Sequence, residues 1–303
     1  MKLKILLLKT LKIFLQTLNS IPKFLSSPIA KTLVYANVFI AICSLAQVFV
    51  TYLVFFIPLD FKNSSYLLFV LLSTYLQYNV QRGYMLNPSN QFTERSQWLA
   101  KHRKTLLISV GLCLIVVLFL CNNLSYLSIG IMVGAELIST FYYLPPFNFR
   151  KYGYLKPVLI SAIWVISCGL VPLIENNLLT ENAVWFLVSQ FCFITTLCIL
   201  FDVKDAEEDY LNGINTYANA FGIKAIKSIC IALMFAYFLC YLFFNRPTLS
   251  VLLMTGITSI ITIVSVLLTN EKKHSFYYYL WIDGLMIVQA FVFLFFIPNT
   301  YIF

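Results

Sequence analysis

Long apolar segments recur along the whole chain and restrict it to a membrane-embedded helical fold. Nine of them reach the length of about 18 residues with which a helix crosses a hydrocarbon core of roughly 30 Å. They cover residues 33–58, 64–81, 104–121, 124–143, 156–174, 182–201, 224–244, 248–269 and 276–297. Only 11% of the 303 residues are charged, well below the soluble norm. Because lipid offers the backbone no hydrogen-bond partners, we predict an all-α, polytopic bundle of about nine transmembrane helices.

Positive charge is concentrated on alternate connections between these segments. If the N-terminus is cytoplasmic and each segment crosses once, 19 of the 21 Lys and Arg fall on the inner side. Only Lys62 and Arg246 then fall outside. This positive-inside bias predicts an N-in, C-out topology. The net charge of +9 therefore reports topology and attraction to acidic headgroups, and it does not indicate a nucleic-acid partner.

Residues 1–30 form a basic segment ahead of the first apolar run. At about 100° per residue, Lys2, Lys9, Lys12 and Gln16 fall on one side of a helix. Lys9 and Lys12 interrupt the apolar stretch, and no small-residue cleavage site follows, which argues against a signal peptide. We predict an amphipathic interfacial helix over residues 1–30 and a single transmembrane domain over residues 31–303.

Five of the 12 acidic residues stand within eight positions behind the sixth apolar run, and they are Asp202, Asp205, Glu207, Glu208 and Asp209. If the helix continues past residue 201, Asp202, Asp205 and Asp209 lie within an arc of roughly 60°. Three such carboxylates repel one another unless a cation lies between them, and Mg²⁺ suits oxygen ligands and substrate phosphates. We predict that these three residues bind Mg²⁺ and act in catalysis. The alternative is a hydrated acidic helix end.

The same stretch resembles the second aspartate-rich motif of the UbiA superfamily of intramembrane prenyltransferases. Asp202-x-x-Asp205-x-x-x-Asp209 is followed by GINT at 213–216 and FG at 221–222. The number of apolar runs, YYLPPF after the fourth and LKPVLISAIW at the fifth agree with this resemblance, which extends from about residue 30 onward. It implies a bundle around a central cavity open to the cytoplasm, in the inner membrane of a bacterium. It also implies that Mg²⁺ and two such motifs hold an isoprenyl diphosphate, whose prenyl chain passes to a lipophilic, aromatic acceptor.

The first aspartate-rich motif of the superfamily is missing from this sequence. Its region reads LQYNVQRGYMLNPSNQF, and no carboxylate occurs between Asp60 and Glu94. Asn79 can stand for the leading Asn of the motif, but Gln81 and Arg82 follow it. Neutral amide oxygens bind Mg²⁺ more weakly than carboxylates, whereas Arg82 is suited to bind phosphate directly. The first metal half-site is therefore absent or rebuilt, with Asn79 and Arg82 as predicted substrate-binding residues.

Further predicted substrate-binding residues lie within or beside the apolar runs. Glu136 and Asp283 each lie about seven residues from the inner end of a predicted span. Because an ionisable group inside a span faces a cavity or a partner, they are predicted either to line one pocket or to bond locally between helices. Arg150, Lys151 and Lys156 are predicted phosphate contacts, with a role as topology determinants as the alternative.

These residues together predict a membrane prenyltransferase that ionises an isoprenyl diphosphate with the help of Mg²⁺. A non-catalytic homologue that binds isoprenoid lipid is the second hypothesis, and the missing first motif favours it. A cation or small-solute transporter is the third. Its acidic cluster would lie at the mouth of the bundle, whereas transporter sites usually lie near the bilayer midplane.

Overall fold

The computed structural model describes residues 27–85, 94–143, 152–211, 213–245 and 247–296, and every regular element in these ranges is helical. The predicted all-α fold class is confirmed. We number the helices α1 (Pro28–Tyr35), α2 (Val38–Phe55), α3 (Phe61–Met85), α4 (Glu94–Lys101), α5 (Arg103–Leu120), α6 (Tyr126–Tyr143), α7 (Leu155–Glu175), α8 (Glu181–Leu211), α9 (Tyr217–Leu242), α10 (Leu249–Leu268) and α11 (Tyr277–Phe296). Two of them contain a π-helical turn, at Ile166–Leu170 in α7 and Tyr277–Ile282 in α11.

Within the described residues, seven helices are long and apolar enough to cross a membrane: α2, α5 and α7 to α11. The chain is therefore an integral membrane protein. The predicted count of nine is not confirmed. Helices α3 and α6 occupy the second and fourth predicted spans, but polar side chains such as Gln77 and Arg82 in α3 and Glu136 in α6 interrupt their apolar sequence.

Eight helices pack side by side into a closed ring. In order around the ring, α2 contacts α3 and α3 contacts α6. Helices α7, α8, α9 and α10 follow, each packed against the one before it, and α11 closes the ring between α10 and α2. Helix α5 lies outside the ring against α3. It buries only Val117 and Leu120, whereas large apolar side chains such as Phe119 stay exposed. An exposed apolar helix of this length fits a lipid-facing position.

Buried amides and hydroxyls join the helices across the centre of the ring. Gln289 of α11 accepts a hydrogen bond from Gln47 of α2 at 2.9 Å and donates to the Tyr237 hydroxyl of α9 at 3.0 Å. It also donates to Gln190 of α8 at 3.3 Å, which in turn donates to the Tyr241 hydroxyl at 3.1 Å. Because lipid and core offer no water to these groups, the network fixes four helices in one register.

The two ends of the ring differ in how they are held together. At one end, Glu175 of α7 forms an ion pair of 2.8 Å with Lys62 of α3 and accepts hydrogen bonds from Ser125. The other end carries α1 and α4, which pack against each other. Of the predicted interfacial segment 1–30, only residues 27–30 are described, and they contain the Ser27 N-cap of α1. The rest of that segment lies outside the described residues, and the predicted topology and domain bounds stay predictions.

Candidate functional site

A cavity of about 1160 Å³ lies inside the ring and opens at the end that carries α1 and α4. Side chains from α2, α3, α6, α7, α8 and α11 form its walls. Its deeper part is lined mainly by apolar side chains, among them Val70, Met132, Ile163, Leu197 and Met286, with Ser44, Ser167 and Glu136 between them. Charged groups gather where the helices end. We call this end, lined by Arg82, Arg95, Lys204, Asp205 and Tyr279, the polar mouth.

Two of the three predicted metal ligands are turned toward a lysine instead of the cavity. Lys156 Nζ, at the start of α7, lies 2.8 Å from Asp202 Oδ1 and 3.2 Å from Asp209 Oδ2. The Asp202 side chain is fully buried, and its Oδ2 has no hydrogen-bond partner among the described residues. Residues seven apart return to almost the same helix direction, which is why Asp202 and Asp209 reach one ammonium group. Lys156, predicted as a phosphate contact, thus pairs with the acidic motif.

Asp205 is the member of the acidic motif that lines the cavity. Its Oδ1 pairs with Lys204 Nζ at 2.6 Å, and that ammonium group lies 4.8 Å from the centre of the Tyr279 ring. The helix direction of Asp205 differs by roughly 60° from that of Asp202, so the two carboxylates meet different neighbours. The predicted motif is therefore divided: Asp202 and Asp209 face Lys156, and Asp205 faces the polar mouth.

The turn after α8 is built by its own sequence. Ile214 N donates to Asp209 O at 2.8 Å, and Gly213 has a φ of 71°, a conformation that favours glycine. Thr216 then caps α9, because its hydroxyl accepts from Asn219 N and the Asn219 side chain accepts from Thr216 N. The GINT sequence thus ends α8 at Leu211, two residues after Asp209, and leads into α9, which keeps the acidic helix end short and fixed.

Asn79 does not belong to the lining of the cavity that the described residues form. Its Oδ1 accepts from Asn37 Nδ2 at 3.0 Å, and its Nδ2 donates to the carbonyls of Ala36 and Tyr75. These bonds hold the C-terminal half of α3 against the start of α2. The structure therefore places Asn79 in helix packing, while the neighbouring Arg82 and Gln81 line the cavity.

Arg95 reaches the polar mouth from the short helix α4. Its Nη2 donates to Asn37 Oδ1 at 2.6 Å, and its guanidinium carbon lies 5.1 Å from the centre of the Tyr279 ring. Burial and the nearby Arg82 lower the pKa of Arg95 to about 10. In the sequence, Arg95 and Lys204 are two of the 19 basic residues that predict the topology. Nothing in the spacing of either residue predicts that both approach Tyr279.

Four predicted substrate-binding residues remain, and the structure describes two of them, Glu136 and Asp283. Glu136 of α6 and Asp283 of α11 both line the cavity, as one of the two predicted alternatives has it. Arg150 and Lys151 lie outside the described residues, so their predicted phosphate contacts stay predictions. In the described chain all eight cysteines are free thiols, most of them buried.

The donor set does not fit a Mg²⁺ ion bound jointly by Asp202, Asp205 and Asp209. The Lys156 ammonium group already lies between two of these carboxylates, and Lys204 pairs with the third. Two cationic side chains thus compete with the metal for three carboxylates. Within the described ranges, no group of three or more His, Cys, Asp or Glu side chains is arranged to hold a metal ion. Ligation of Mg²⁺ by the three residues stays a prediction that requires Lys156 to move.

Comparison with known proteins identifies the fold. No protein-family model and no curated protein matches the chain. Among solved structures it is similar to one from a study of digeranylgeranylglyceryl phosphate synthase in membranes, with a TM-score of 0.58 and 14% identity over 89% of this chain and 97% of that one. It is similar also to a UbiA homologue from Archaeoglobus fulgidus, with a TM-score of 0.59 and 15% identity over 88% of this chain and 99% of that one. The chain therefore has the fold of a UbiA homologue, and the predicted resemblance is confirmed at the level of the fold.

Proposed function

We propose that the chain is an intramembrane prenyltransferase, which transfers a prenyl chain from an isoprenyl diphosphate to a lipophilic acceptor. The observation that carries this proposal is the two-part cavity, with an apolar interior and a cationic mouth. An isoprenyl diphosphate has the same two parts, since an apolar chain ends in a polyanion. The similarity to digeranylgeranylglyceryl phosphate synthase supports the same class of substrate.

The polar mouth suits the first step of such a transfer. The bond between the allylic carbon and the diphosphate oxygen breaks, and the oxygen keeps the electron pair. Arg82, Arg95 and Lys204 stabilise the charge that grows on the departing diphosphate. The fixed position of these cations matters because they need no reorganisation when the charge develops.

The cavity wall suits the second step. The allylic cation is stabilised by the aromatic faces that line the cavity, among them Trp164 and Phe201. A nucleophilic carbon or oxygen of the acceptor then bonds to the allylic carbon and gives up a proton. Glu136 and Asp283 are the lining carboxylates placed to receive that proton.

Release of diphosphate from a labelled substrate tests this proposal. The full-length protein in detergent or nanodiscs is incubated with geranylgeranyl diphosphate or a longer homologue, together with a membrane lipid extract that supplies acceptors. Asp205→Asn is expected to abolish release, because the Asp205 carboxylate holds the Lys204 ammonium group in position at the mouth. Glu207→Gln, on an exposed position of the same helix, is the matched control and is expected to keep full release.

The outcomes separate the three hypotheses. Release that disappears in Asp205→Asn and persists in Glu207→Gln supports a transferase. Tight binding of the diphosphate without release overturns transfer and supports a protein that only binds isoprenoid lipid. Absence of both binding and release overturns both lipid hypotheses and leaves the transporter.

A further inference from the structure

Two cationic side chains from separate parts of the sequence approach one aromatic ring at the polar mouth, and a third lines the same cavity nearby. Arg95 of α4 and Lys204 of α8 lie 5.1 Å and 4.8 Å from the centre of the Tyr279 ring. Their charged groups are therefore no farther apart than the sum of these distances. Arg82 of α3 lies close enough to interact electrostatically with both Arg95 and Tyr279. All four side chains line the same cavity.

Two of the lining carboxylates near this cluster form ion pairs: Asp205 with Lys204, and Glu94 with Lys31. A third, Asp283, lines the cavity and interacts electrostatically with Arg95 and Lys204, but it forms no ion pair within the described residues. Neither Arg82 nor Arg95 forms an ion pair within the described ranges of the chain. Both guanidinium groups are therefore free of a directly paired carboxylate among the described residues.

The guanidinium group of Arg95 also has an unused donor. Its Nη2 atom bonds to Asn37 and approaches the carbonyl of Val34, but its Nε atom is buried without a hydrogen-bond partner among the described residues. A buried donor without a partner destabilises the folded protein. This destabilisation is offset when an anionic ligand accepts the hydrogen bond, and Arg95 faces the cavity from which a ligand would approach.

The first metal half-site of the superfamily would act at this same end of α3, where this chain has Gln81 and Arg82 instead of carboxylates. Guanidinium groups bind phosphate oxygens through two parallel hydrogen bonds and carry a permanent charge. Lys204 adds a compact charge with three donors, of which Asp205 accepts one and Tyr279 a second. Side chains with fixed positive charge thus lie at the end of the cavity where a divalent ion would otherwise supply the charge that binds the diphosphate.

We propose that Arg82, Arg95 and Lys204, grouped around Tyr279, form an anion site that binds the diphosphate directly, without a divalent cation. This inference rests on the proposed function for the identity of the anion. It extends that function, because Arg82, Arg95 and Lys204 then bind the diphosphate in the ground state and the affinity for the substrate is independent of Mg²⁺. Tyr279 is a positioning residue, because its ring holds two of the cations.

Binding measured without metal tests the site. The full-length protein in phosphatidylcholine nanodiscs is titrated with geranylgeranyl diphosphate, once with Mg²⁺ and once with EDTA. We expect the same Kd in both titrations. Arg82→Gln and Arg95→Gln are each expected to weaken binding about tenfold or more, as for loss of a charged hydrogen bond. Lys101→Gln removes a charge from an exposed position of α4 and is expected to leave Kd unchanged.

Two further measurements make the result specific to the site. Arg95→Lys keeps the charge but loses the paired geometry, and it is expected to bind more weakly than the wild type and more tightly than Arg95→Gln. Geranylgeraniol lacks the diphosphate, so its binding is expected to be the same in all variants. Thermal unfolding of each variant shows whether it is folded. Arg82 is exposed near the end of α3, so its variant is expected to fold and keeps the test decisive.

The results distinguish this inference from the proposed function. Binding that requires Mg²⁺, or that is unchanged in both Arg82→Gln and Arg95→Gln, overturns the anion site and leaves prenyl transfer intact. Binding in EDTA that depends on both arginines supports the site even if no diphosphate is released, in which case the transferase proposal alone fails. No binding under either condition overturns both.

Discussion

Lys156 Nζ lies 2.8 Å from Oδ1 of Asp202, and the side chain of Asp202 is fully buried. The same ammonium group reaches Asp209 at 3.2 Å. A lysine from the start of α7 thereby joins both ends of the acidic motif on α8. The chain supplies its own cation at the position where the motif by itself predicts a metal.

We expect Lys156→Gln to destabilise the protein by about 3–5 kcal/mol, because it leaves the buried carboxylate of Asp202 without a partner. Thermal unfolding in detergent measures the effect. Lys224→Gln, at an exposed position of α9, is the matched control and is expected to unfold like the wild type. The double variant Lys156→Gln/Asp202→Asn is expected to recover part of the loss. Equal unfolding temperatures for Lys156→Gln and the control would contradict the structural role of this pair.

Metal dependence of stability follows from the same arrangement. We expect the unfolding temperature of the wild type to be equal in Mg²⁺ and in EDTA, because Lys156 and Lys204 already pair with all three carboxylates of the acidic motif. In Lys156→Ala, Asp202 and Asp209 lose their cation, and Mg²⁺ is expected to raise the unfolding temperature. A wild type that Mg²⁺ stabilises without substrate would show that Lys156 yields its position to the metal.

The buried amide network predicts a large effect from one polar substitution. Gln289→Leu leaves partners on α2, α8 and α9 unsatisfied, so we expect a loss of about 2 kcal/mol or more in unfolding free energy. Phe291→Leu changes an exposed position two residues away and is expected to have little effect. If both variants unfold at the same temperature, the network does not hold the helices together.

The backbone at Gly153, three residues before Lys156, packs closely against the backbone of Asn215 in the turn after α8. A Cβ atom at this position would lie 2.3 Å from the carbonyl oxygen of Asn215, so Gly153→Ala forces the two backbones apart. We expect reduced thermal stability and, if the proposed function holds, a lower rate of diphosphate release. Gly130→Ala, where a Cβ atom meets nothing within 4 Å, is the control and is expected to be neutral or slightly stabilising. An unaffected Gly153→Ala protein would rule out the close contact.

The attachment of α4 is expected to depend on pH. Glu94 accepts hydrogen bonds from Lys31 and Tyr35, and the bond from Lys31 is the main cause that lowers the pKa of Glu94. Burial and Glu94 raise the pKa of Tyr35 to about 12, so its hydroxyl stays a donor. A carboxylate with a lowered pKa stabilises the fold at neutral pH, and this stabilisation is lost as the pH falls through the lowered value.

The difference in stability between the wild type and Glu94→Gln measures this effect. Because the Glu94 side chain is 61% exposed, we expect a difference of less than about 1 kcal/mol at pH 7. It should disappear at acidic pH, below the usual glutamate range. A difference that is constant over this range would mean that the ionised form of Glu94 contributes nothing.

The sequence by itself determined the class of fold and the neighbourhood of the site. Helices follow from the apolar runs, because an apolar stretch long enough to cross lipid must satisfy its own backbone hydrogen bonds. The polar end of α8 and its turn follow from local rules, since Gly213 and Thr216 act on residues close to them in the chain. Glu136 and Asp283 are predicted to lie at the same depth in the bundle, because each is about seven residues from the inner end of its span.

Only the tertiary structure decided how the charged side chains pair. Helical periodicity gives the directions of Asp202, Asp205 and Asp209 to within roughly 60°, but it contains no information about Lys156, which enters from another helix. The approach of Arg95 and Lys204 to Tyr279 joins three helices that are distant in sequence. Charge pairing depends on distances of a few ångströms, and the packing between helices sets those distances. The pairs can therefore be identified only from the tertiary structure.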